Sequence, residues 1–300
     1  MDATQPTFES VLATVQEAVN AALRNEKQNV PEHVPHPPFE FGYIEGSTEP
    51  NACAISIGGC SYIGITKPLV RLSLKACEQL GKSEAIAEFL GLPCTPERHD
   101  AAYTVTFLMQ LAFVVSHEFT HHVHGHTENA PIGGDNGNLQ EQVTEIDADG
   151  YGAFHVLSHF IDGEGRTHAV DLLHCKDKQT SEQDEILLSL VVISIAALLF
   201  VTEPIVIEPS KVYELKHPPQ AVRMEFLLRN VMRWIGHFRT ALEGAITPAR
   251  LRMMWKLAAG ATWGMNGGRD WSEQVAFAKS ETGSKYVERL EVLVNGVLRS

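Results

Sequence analysis

VVSHEFTHHVHGH, residues 114–126, holds five histidines and one glutamate within ten positions. Within it, His117, Glu118 and His121 form the pattern H-E-x-x-H. Positions i and i+4 of a helix lie one turn apart on the same face, so two imidazoles at this spacing reach one ion. Zinc accepts imidazole nitrogen and keeps an open position when three protein groups bind it. The stretch therefore predicts a helix with two zinc ligands, and Glu118 is placed to take the proton of an attacking water.

The other three histidines of this stretch are not predicted to bind the ion. His122 points about 100° away from His121 around the helix axis, which indicates a packing or surface position. His124 shares a face with His117 but lies about 10 Å further along the axis, too far for one ion. For His126 two interpretations stay open, a residue that caps the helix end and a residue of the site.

A third ligand is needed, and the histidine register does not supply it. The pattern H-E-x-x-H-x-x-G-x-x-H needs Gly and His where this chain has His124 and Thr127. Downstream, TEIDADGYGA offers Glu145 and Asp149 one turn apart on a predicted helix. One carboxylate would bind the ion, and the other would accept the free N–H of a ligating histidine. Asp147 is the rival ligand, although position i+2 faces the other side of the helix.

Length and composition restrict the class of protein. Three hundred residues, 44% of them apolar, suffice for one large domain or two small ones. A net charge of −13 argues against nucleic acid as a partner, since it is a polyanion. The five cysteines are odd in number and form no C-x-x-C pair, and the start MDATQPTFES lacks the features of a signal peptide. We therefore expect a cytoplasmic protein, with a membrane-associated one as the alternative.

Helical patterns fill most of the chain, and the Ile-rich residues 52–66 are interpreted as a strand pair or a bulged strand. The expected fold class is α+β and predominantly α-helical, with a small sheet. Residues 1–40 are predicted as an N-terminal helix and a Pro/His-rich linker, 41–240 as the metal-binding domain and 241–300 as a helical extension packed on it. The Gly-rich stretch 126–140 is predicted as a loop that gates the site.

One apolar segment raises the question of a membrane. ILLSLVVISIAALLFV, residues 186–201, is sixteen residues without a charge. A membrane-spanning helix needs about twenty apolar residues, and a buried core helix has about fourteen at most. The flanking Glu185 and Glu203 offer no basic residue that would set an orientation. A buried helix is favoured, and a membrane contact is the alternative.

HExxH followed by E-x-x-A-D resembles the signature of gluzincin metallopeptidases of the HtpX and CAAX-prenyl-endopeptidase type. NACAISIGGCSYIGIT (51–66) is similar to that family's N-A-x-A-…-G-G-…-I-x-x-T segment, and HPPQAVR (217–223) is similar to its H-P-P-x-x-x-R element. HEFTHHVHGH is similar to H-E-x-G-H-x-x-x-x-H, with His126 in the last place and Thr120 where the family often has glycine. The likeness covers residues 50 to about 230. The Lit-type phage-exclusion peptidases, which also carry HExxH, are a second resemblance.

The resemblance implies a gluzincin, or zincin-like, metallopeptidase domain with an active-site HExxH helix. It implies a zinc-dependent metalloendopeptidase whose partner is a protein or peptide substrate. One zinc ion per chain would be held by His117, His121 and Glu145, with Glu118 as general base.

The resemblance also implies supporting residues around this centre. Asp149 would orient a ligating histidine. His217 would lie near the site and stabilise the oxyanion, with Arg223 as a nearby structural or electrostatic partner. The 51–66 segment would be an edge strand that pairs with an extended substrate through its backbone. The substrate-binding residues implied there are Asn51, Ala52, Ala54, Gly58 and Gly59.

Two other functions stay open from the residues alone. The same constellation would serve a metal-dependent hydrolase of a non-peptide bond. A catalytically degenerate peptidase fold that binds a partner, or a His-rich metal buffer, would be no enzyme. A buffer would bind several ions weakly, whereas a peptidase would hold about one.

Overall fold

The computed structural model describes residues 7–29, 38–127, 137–202, 207–266 and 271–297. Most of the predicted 29–38 linker and of the predicted gate lies outside these ranges. The strands are β1 (Phe39–Ile44), β2 (Ala52–Ile57) and β3 (Cys60–Thr66). The helices are α1 (Phe8–Asn29), α2 (Lys67–Lys82), α3 (Glu84–Phe89), α4 (Pro96–Val123), α5 (Gly137–Leu157), α6 (Gly165–Leu172), α7 (Thr180–Val201), α8 (Gln220–Phe238), α9 (Pro248–Thr262), α10 (Ser272–Lys279) and α11 (Glu281–Val297). This is a mostly helical α+β arrangement with a small sheet, as the sequence predicts.

The three strands form one sheet in the order β1-β3-β2. β2 and β3 are antiparallel, and Gly58 and Gly59 join them with φ of +59° and +80°, a backbone shape that glycine adopts without strain. β1 pairs parallel with β3, and α1 packs against it, where Asn20 exchanges hydrogen bonds with the backbone of Phe41. Only the β2 half of the 51–66 segment is an edge strand, because β3 lies in the centre.

The sequence analysis missed β1, whose first two residues fall within residues 1–40, predicted as a helix and a linker. Its parallel partner is more than twenty positions away, so no hairpin turn marks the pairing. The alternation of buried Phe39 and Phe41 with exposed Glu40 is the local pattern that predicts such a strand.

Helices α4 and α5 cross at the site and approach each other closely. At Gly152 of α5, an added Cβ would lie 3.2 Å from the backbone nitrogen of His117 on α4. A side chain there would push the helices apart. Thr120, which occupies the position of the expected glycine, is fully buried, and its hydroxyl donates to the carbonyl of Ser116 at 2.7 Å. The small residue needed for close packing is therefore on α5 rather than on α4.

Helix α7 contains the apolar 186–201 segment and lies inside the helical core. Its length and composition suffice to cross a membrane, but 94% of its most apolar 18-residue window is buried in the protein. Gln110 of α4 donates to the carbonyl of Ser194 at 2.9 Å, and its own oxygen accepts from Ser73 of α2 at 2.6 Å. Neighbouring helices thus surround α7, as expected of the favoured buried helix.

The last two helices join a second, smaller apolar cluster formed with α5 and α8. Its largest buried side chain is Tyr286 of α11, whose hydroxyl donates to Gln142 of α5 at 2.8 Å. Gln142 in turn donates to the carbonyl of Val212 at 2.9 Å. The C-terminal helices therefore support the back of α5, the helix that brings two carboxylates to the site.

Candidate metal centre

Three side chains from two helices bring potential metal-ligand atoms together beside a cavity. His117 and His121 lie one turn apart on α4, and their Nε2 atoms are 3.2 Å apart. Glu145 of α5 faces both, with one carboxylate oxygen 3.5 Å from His117 Nε2 and the other 3.5 Å from His121 Nε2. The structure thus brings together the three side chains predicted as metal ligands.

The donor set and its spacing suit a zinc ion. Tetrahedral zinc with bonds of about 2.0–2.2 Å to nitrogen and oxygen holds its ligand atoms about 3.3–3.5 Å apart. The two Nε2 atoms are 3.2 Å apart, close to this edge length, and Glu145 lies 3.5 Å from each of them through a different carboxylate oxygen. One ligand atom from each of the three residues lies within 4.8 Å of the other two. Two imidazoles and one carboxylate also leave a fourth corner for water or substrate.

Asp149 and Arg223 support the centre from behind. Asp149 lies one turn after Glu145 on α5, and its Oδ1 is 3.0 Å from His117 Nδ1, the ring atom opposite Nε2. Arg223 of α8 donates two hydrogen bonds of 2.7 Å to the Asp149 carboxylate and reaches within 3.8 Å of Glu145. A carboxylate on Nδ1 keeps the proton on that side and leaves Nε2 free to bind an ion.

Arg223→Met is expected to lower the free energy of unfolding by about 3–5 kcal/mol, because it leaves the buried Asp149 carboxylate without its partner. Arg229→Met on the same helix is the matched control. Arg229 binds Glu291 at 2.8 Å at the surface, and such a pair contributes at most about 1 kcal/mol. Urea unfolding of the zinc-free proteins measures both. Equal losses in the two variants would contradict a supporting role for Arg223.

The electrostatics of the two histidines favour one cation between them. Burial opposes protonation of His117, but Asp149 and Glu145 outweigh it and raise its pKa to about 10. Burial and the charge of His117 lower the pKa of His121 to about 3. For Glu145, burial opposes ionisation, yet His117 and His217 hold its pKa well below the usual range. The cluster keeps its carboxylate ionised and accommodates a positive charge where the two Nε2 atoms meet.

Glu118 follows the first ligand on α4 and is 7% exposed. Burial raises the pKa of Glu118 to about 7 against the opposing charge of His117, and Glu145 adds to the rise. A carboxyl group with a pKa near neutrality both accepts and returns a proton readily. Its position at the cavity beside the donor atoms is the one that a general base requires.

A cavity of about 550 Å³ opens over these residues. Its wall on the sheet side is formed by Asn51, directly before the edge strand β2, and by Ala52 and Ala54 at the start of that strand. Gly58 and Gly59, also predicted to bind substrate, do not line it; they form the turn at the far end of β2. Their positive φ values are a conformation that glycine adopts without strain.

His217 enters the cavity from the segment before α8. Its Nδ1 is 3.3 Å from Glu145, and its side chain is 57% exposed. This imidazole is open to the cavity and is not one of the three clustered donor groups. The resemblance implied the same position for His217, next to the site and outside the ligand set.

Two residues outside the favoured ligand set also belong to this region. His126 lies behind His121, with its Nδ1 3.1 Å from His121 Nδ1, and Asp147 of α5 lies behind His126. His124 contacts Asp147 rather than the ligand cluster, and His122 packs on the sheet with its Nε2 3.0 Å from the carbonyl of Tyr62. The only sequence signal for His126 was its place at the end of the H-E-x-x-H-x-x-x-x-H pattern.

A comparison with family models identifies the chain. The model of peptidase U49 matches residues 79–233, just over half of the sequence. The chain belongs to the peptidase U49 family. This is the Lit-type peptidase family, so the second resemblance drawn from the sequence is confirmed. No match was found among curated proteins or solved structures.

The U49 match covers the elements that build the site. It includes the HExxH helix α4, both carboxylates of α5 and the stretch 217–223, but it begins after β2 and β3. Membership in the family makes the chain a peptidase, acting on protein or peptide substrates. The three donor groups of the site are compatible with a bound metal ion.

Proposed function

We propose that this U49 peptidase is a zinc-dependent metalloendopeptidase of gluzincin type, similar in its site to the HtpX and CAAX-prenyl-endopeptidase group. The observation that carries the proposal is the meeting of two imidazole Nε2 atoms, 3.2 Å apart on His117 and His121, with the Glu145 carboxylate, which lies 3.5 Å from each of them. The proposed catalytic domain is 41–240, which contains every residue of the site. We also propose a cytoplasmic location.

Each residue of the site has one role in the proposed reaction. When bound, one zinc ion supplies Lewis-acid polarisation of the scissile carbonyl and of the attacking water. Glu118 takes the proton of that water and passes it to the leaving amine, a role that its near-neutral pKa supports. His217, at the cavity rim, donates to the oxygen that becomes negative in the transition state. Asp149, held by Arg223, keeps His117 in the tautomer that binds the ion.

The substrate is proposed to lie extended along β2. Among the described residues, β2 has no strand neighbour on the side away from β3, so a further strand can pair there. Asn51, Ala52 and Ala54 line the cavity beside Glu118, so a peptide paired with this strand passes over the donor cluster. Small side chains at 52 and 54 leave room for the side chains of the substrate. The backbone pairing is independent of sequence, which favours endopeptidase cleavage within an unfolded or extended segment.

Metal removal tests the proposal. Dialysis against a chelator is expected to abolish cleavage of an unfolded protein such as casein, because it removes the ion that would polarise the scissile carbonyl and the water. One equivalent of zinc per chain is expected to restore it, with elemental analysis giving about one zinc per restored chain. Activity that persists at zero metal content would overturn the proposal. Several loosely bound ions per chain without cleavage would indicate a metal buffer instead.

A further inference from the structure

His124, His126 and Asp147 lie behind His121 and have no role in the proposed mechanism. Their arrangement depends on the end of α4, where Gly125 adopts φ of +70°. The amide of His126 donates to the carbonyl of His121 at 2.9 Å, and the amide of Gly125 donates to that of His122 at 3.1 Å. These two hydrogen bonds form a Schellman motif, which reverses the chain at the helix end. The reversal turns the His126 side chain back onto the ring of His121.

The polar contacts continue from one ring to the next. His121 Nδ1 is 3.1 Å from His126 Nδ1, and His126 Nε2 is 3.3 Å from Asp147 Oδ2. Asp147 also accepts from His124 Nδ1 at 2.5 Å. The side chains of His126 and Asp147 are only 7% and 4% exposed, so water does not replace these contacts easily.

The tautomers of the two rings follow from one requirement. If Nε2 of His121 binds an ion, its proton is on Nδ1, which then donates to Nδ1 of His126. A ring of His126 that accepts at Nδ1 carries its proton on Nε2, the atom that faces Asp147. Each N–H thus faces a possible acceptor, at 3.1 Å between the two rings and at 3.3 Å from His126 to the Asp147 carboxylate. Asp149 supports His117 in the same way, except that it contacts the ligand histidine directly, whereas the ring of His126 lies between Asp147 and His121.

We propose that His126 and Asp147 are positioning residues that fix the tautomer and orientation of His121 for zinc. The proposal rests on the proposed function, since it assigns an outer layer to the same zinc centre. The two ligand histidines are then supported from opposite sides of α5, His117 by Asp149 and His121 by Asp147 through His126.

The rival interpretation is a second metal site. His124, His126 and Asp147 each offer a ligand atom, and these atoms lie within 4.8 Å of one another. However, two ligands of one zinc ion are about 3.3–3.5 Å apart, whereas His124 Nδ1 and Asp147 Oδ2 are 2.5 Å apart. That separation is a short charge-assisted hydrogen bond. The geometry therefore favours a hydrogen-bonded series over an ion.

Zinc affinity measured by competition with a chromogenic chelator tests the role independently of activity. Two variants at one position form a matched pair, because Asn and Leu have nearly the same size but only Asn has an acceptor at the δ position. We expect His126→Leu to weaken zinc binding about 10–100-fold and His126→Asn to stay within a few-fold of the wild type. Asp147→Asn is expected to weaken it in the wild type but not in His126→Leu, because the two residues act in series.

Thermal unfolding of the zinc-free variants shows whether each one is folded. Equal losses for Asn and Leu at position 126 would overturn the proposal, since packing alone would then explain them. Two zinc ions per chain in the wild type, one of them lost in His124→Ala, would overturn it in favour of a second site. If the wild type binds no zinc at all, the proposed function fails as well. Tight wild-type binding with unchanged variants refutes only the positioning role.

Discussion

Glu118→Gln is expected to remove peptidase activity while zinc binding and the fold are kept. Glutamine has the size of glutamate but does not accept a proton from water, and loss of general-base catalysis costs about 10²–10⁴-fold in rate. Glu118 is outside the three-atom donor cluster, so zinc affinity is expected to change little. Because Glu118 is 7% exposed, a neutral side chain there is not expected to destabilise the protein.

Comparison of protein termini in cells that express the wild type or Glu118→Gln measures this effect and identifies substrates at the same time. Glu97→Gln is the matched control, since Glu97 lies in the first turn of the same helix, far from the site and exposed to solvent. New termini are expected in the wild type and in the control but not in Glu118→Gln. A Glu118→Gln sample with the full set of new termini would rule out the general base. Cleavage of casein by the purified variants provides the rate.

The sequence predicted most of the site because its chemistry depends on helical spacing. His117 and His121 share a face at i and i+4, and so do Glu145 and Asp149, whatever the rest of the fold does. The pairing of these two faces is non-local; the need for a third ligand suggested it, and the resemblance to known peptidases implied it as well. The burial of α7 was also predictable, because its uncharged run 186–201 is shorter than the about twenty residues of a typical membrane span and lacks basic flanks.

What sequence reasoning missed depends on turns and on contacts between distant segments. The parallel partner of β1 is not marked by any local signal. The approach of His126 to His121 requires the reversal at Gly125, and a helical projection past His124 gives the wrong direction for it. The resemblance implied Gly58 and Gly59 as substrate-binding residues, but a tight turn also requires glycine, so the sequence does not separate the two roles.

Glu145→Gln is expected to weaken zinc binding by more than the roughly 100-fold that an outer residue costs, and to abolish activity with it. Glu145 is the anionic member of the donor cluster, and an amide oxygen is a much weaker zinc ligand than a carboxylate. The substitution keeps the volume of the side chain, and the Asp149–Arg223 pair one turn away stays intact. The zinc-free protein is therefore expected to remain folded.

Chelator competition and circular dichroism on one preparation measure both quantities. Glu141→Gln removes the same charge from the same helix at a residue that does not line the cavity, and it is expected to leave zinc affinity unchanged. Asp147→Asn decides between the two carboxylates considered as third ligand. If Asp147 does not bind the ion itself, its replacement lowers zinc affinity by at most about 100-fold. The larger loss of affinity is therefore expected in Glu145→Gln. The reverse order, with zinc lost in Asp147→Asn and retained in Glu145→Gln, would mean that the ion binds on the other face of α5, beside His124 and His126.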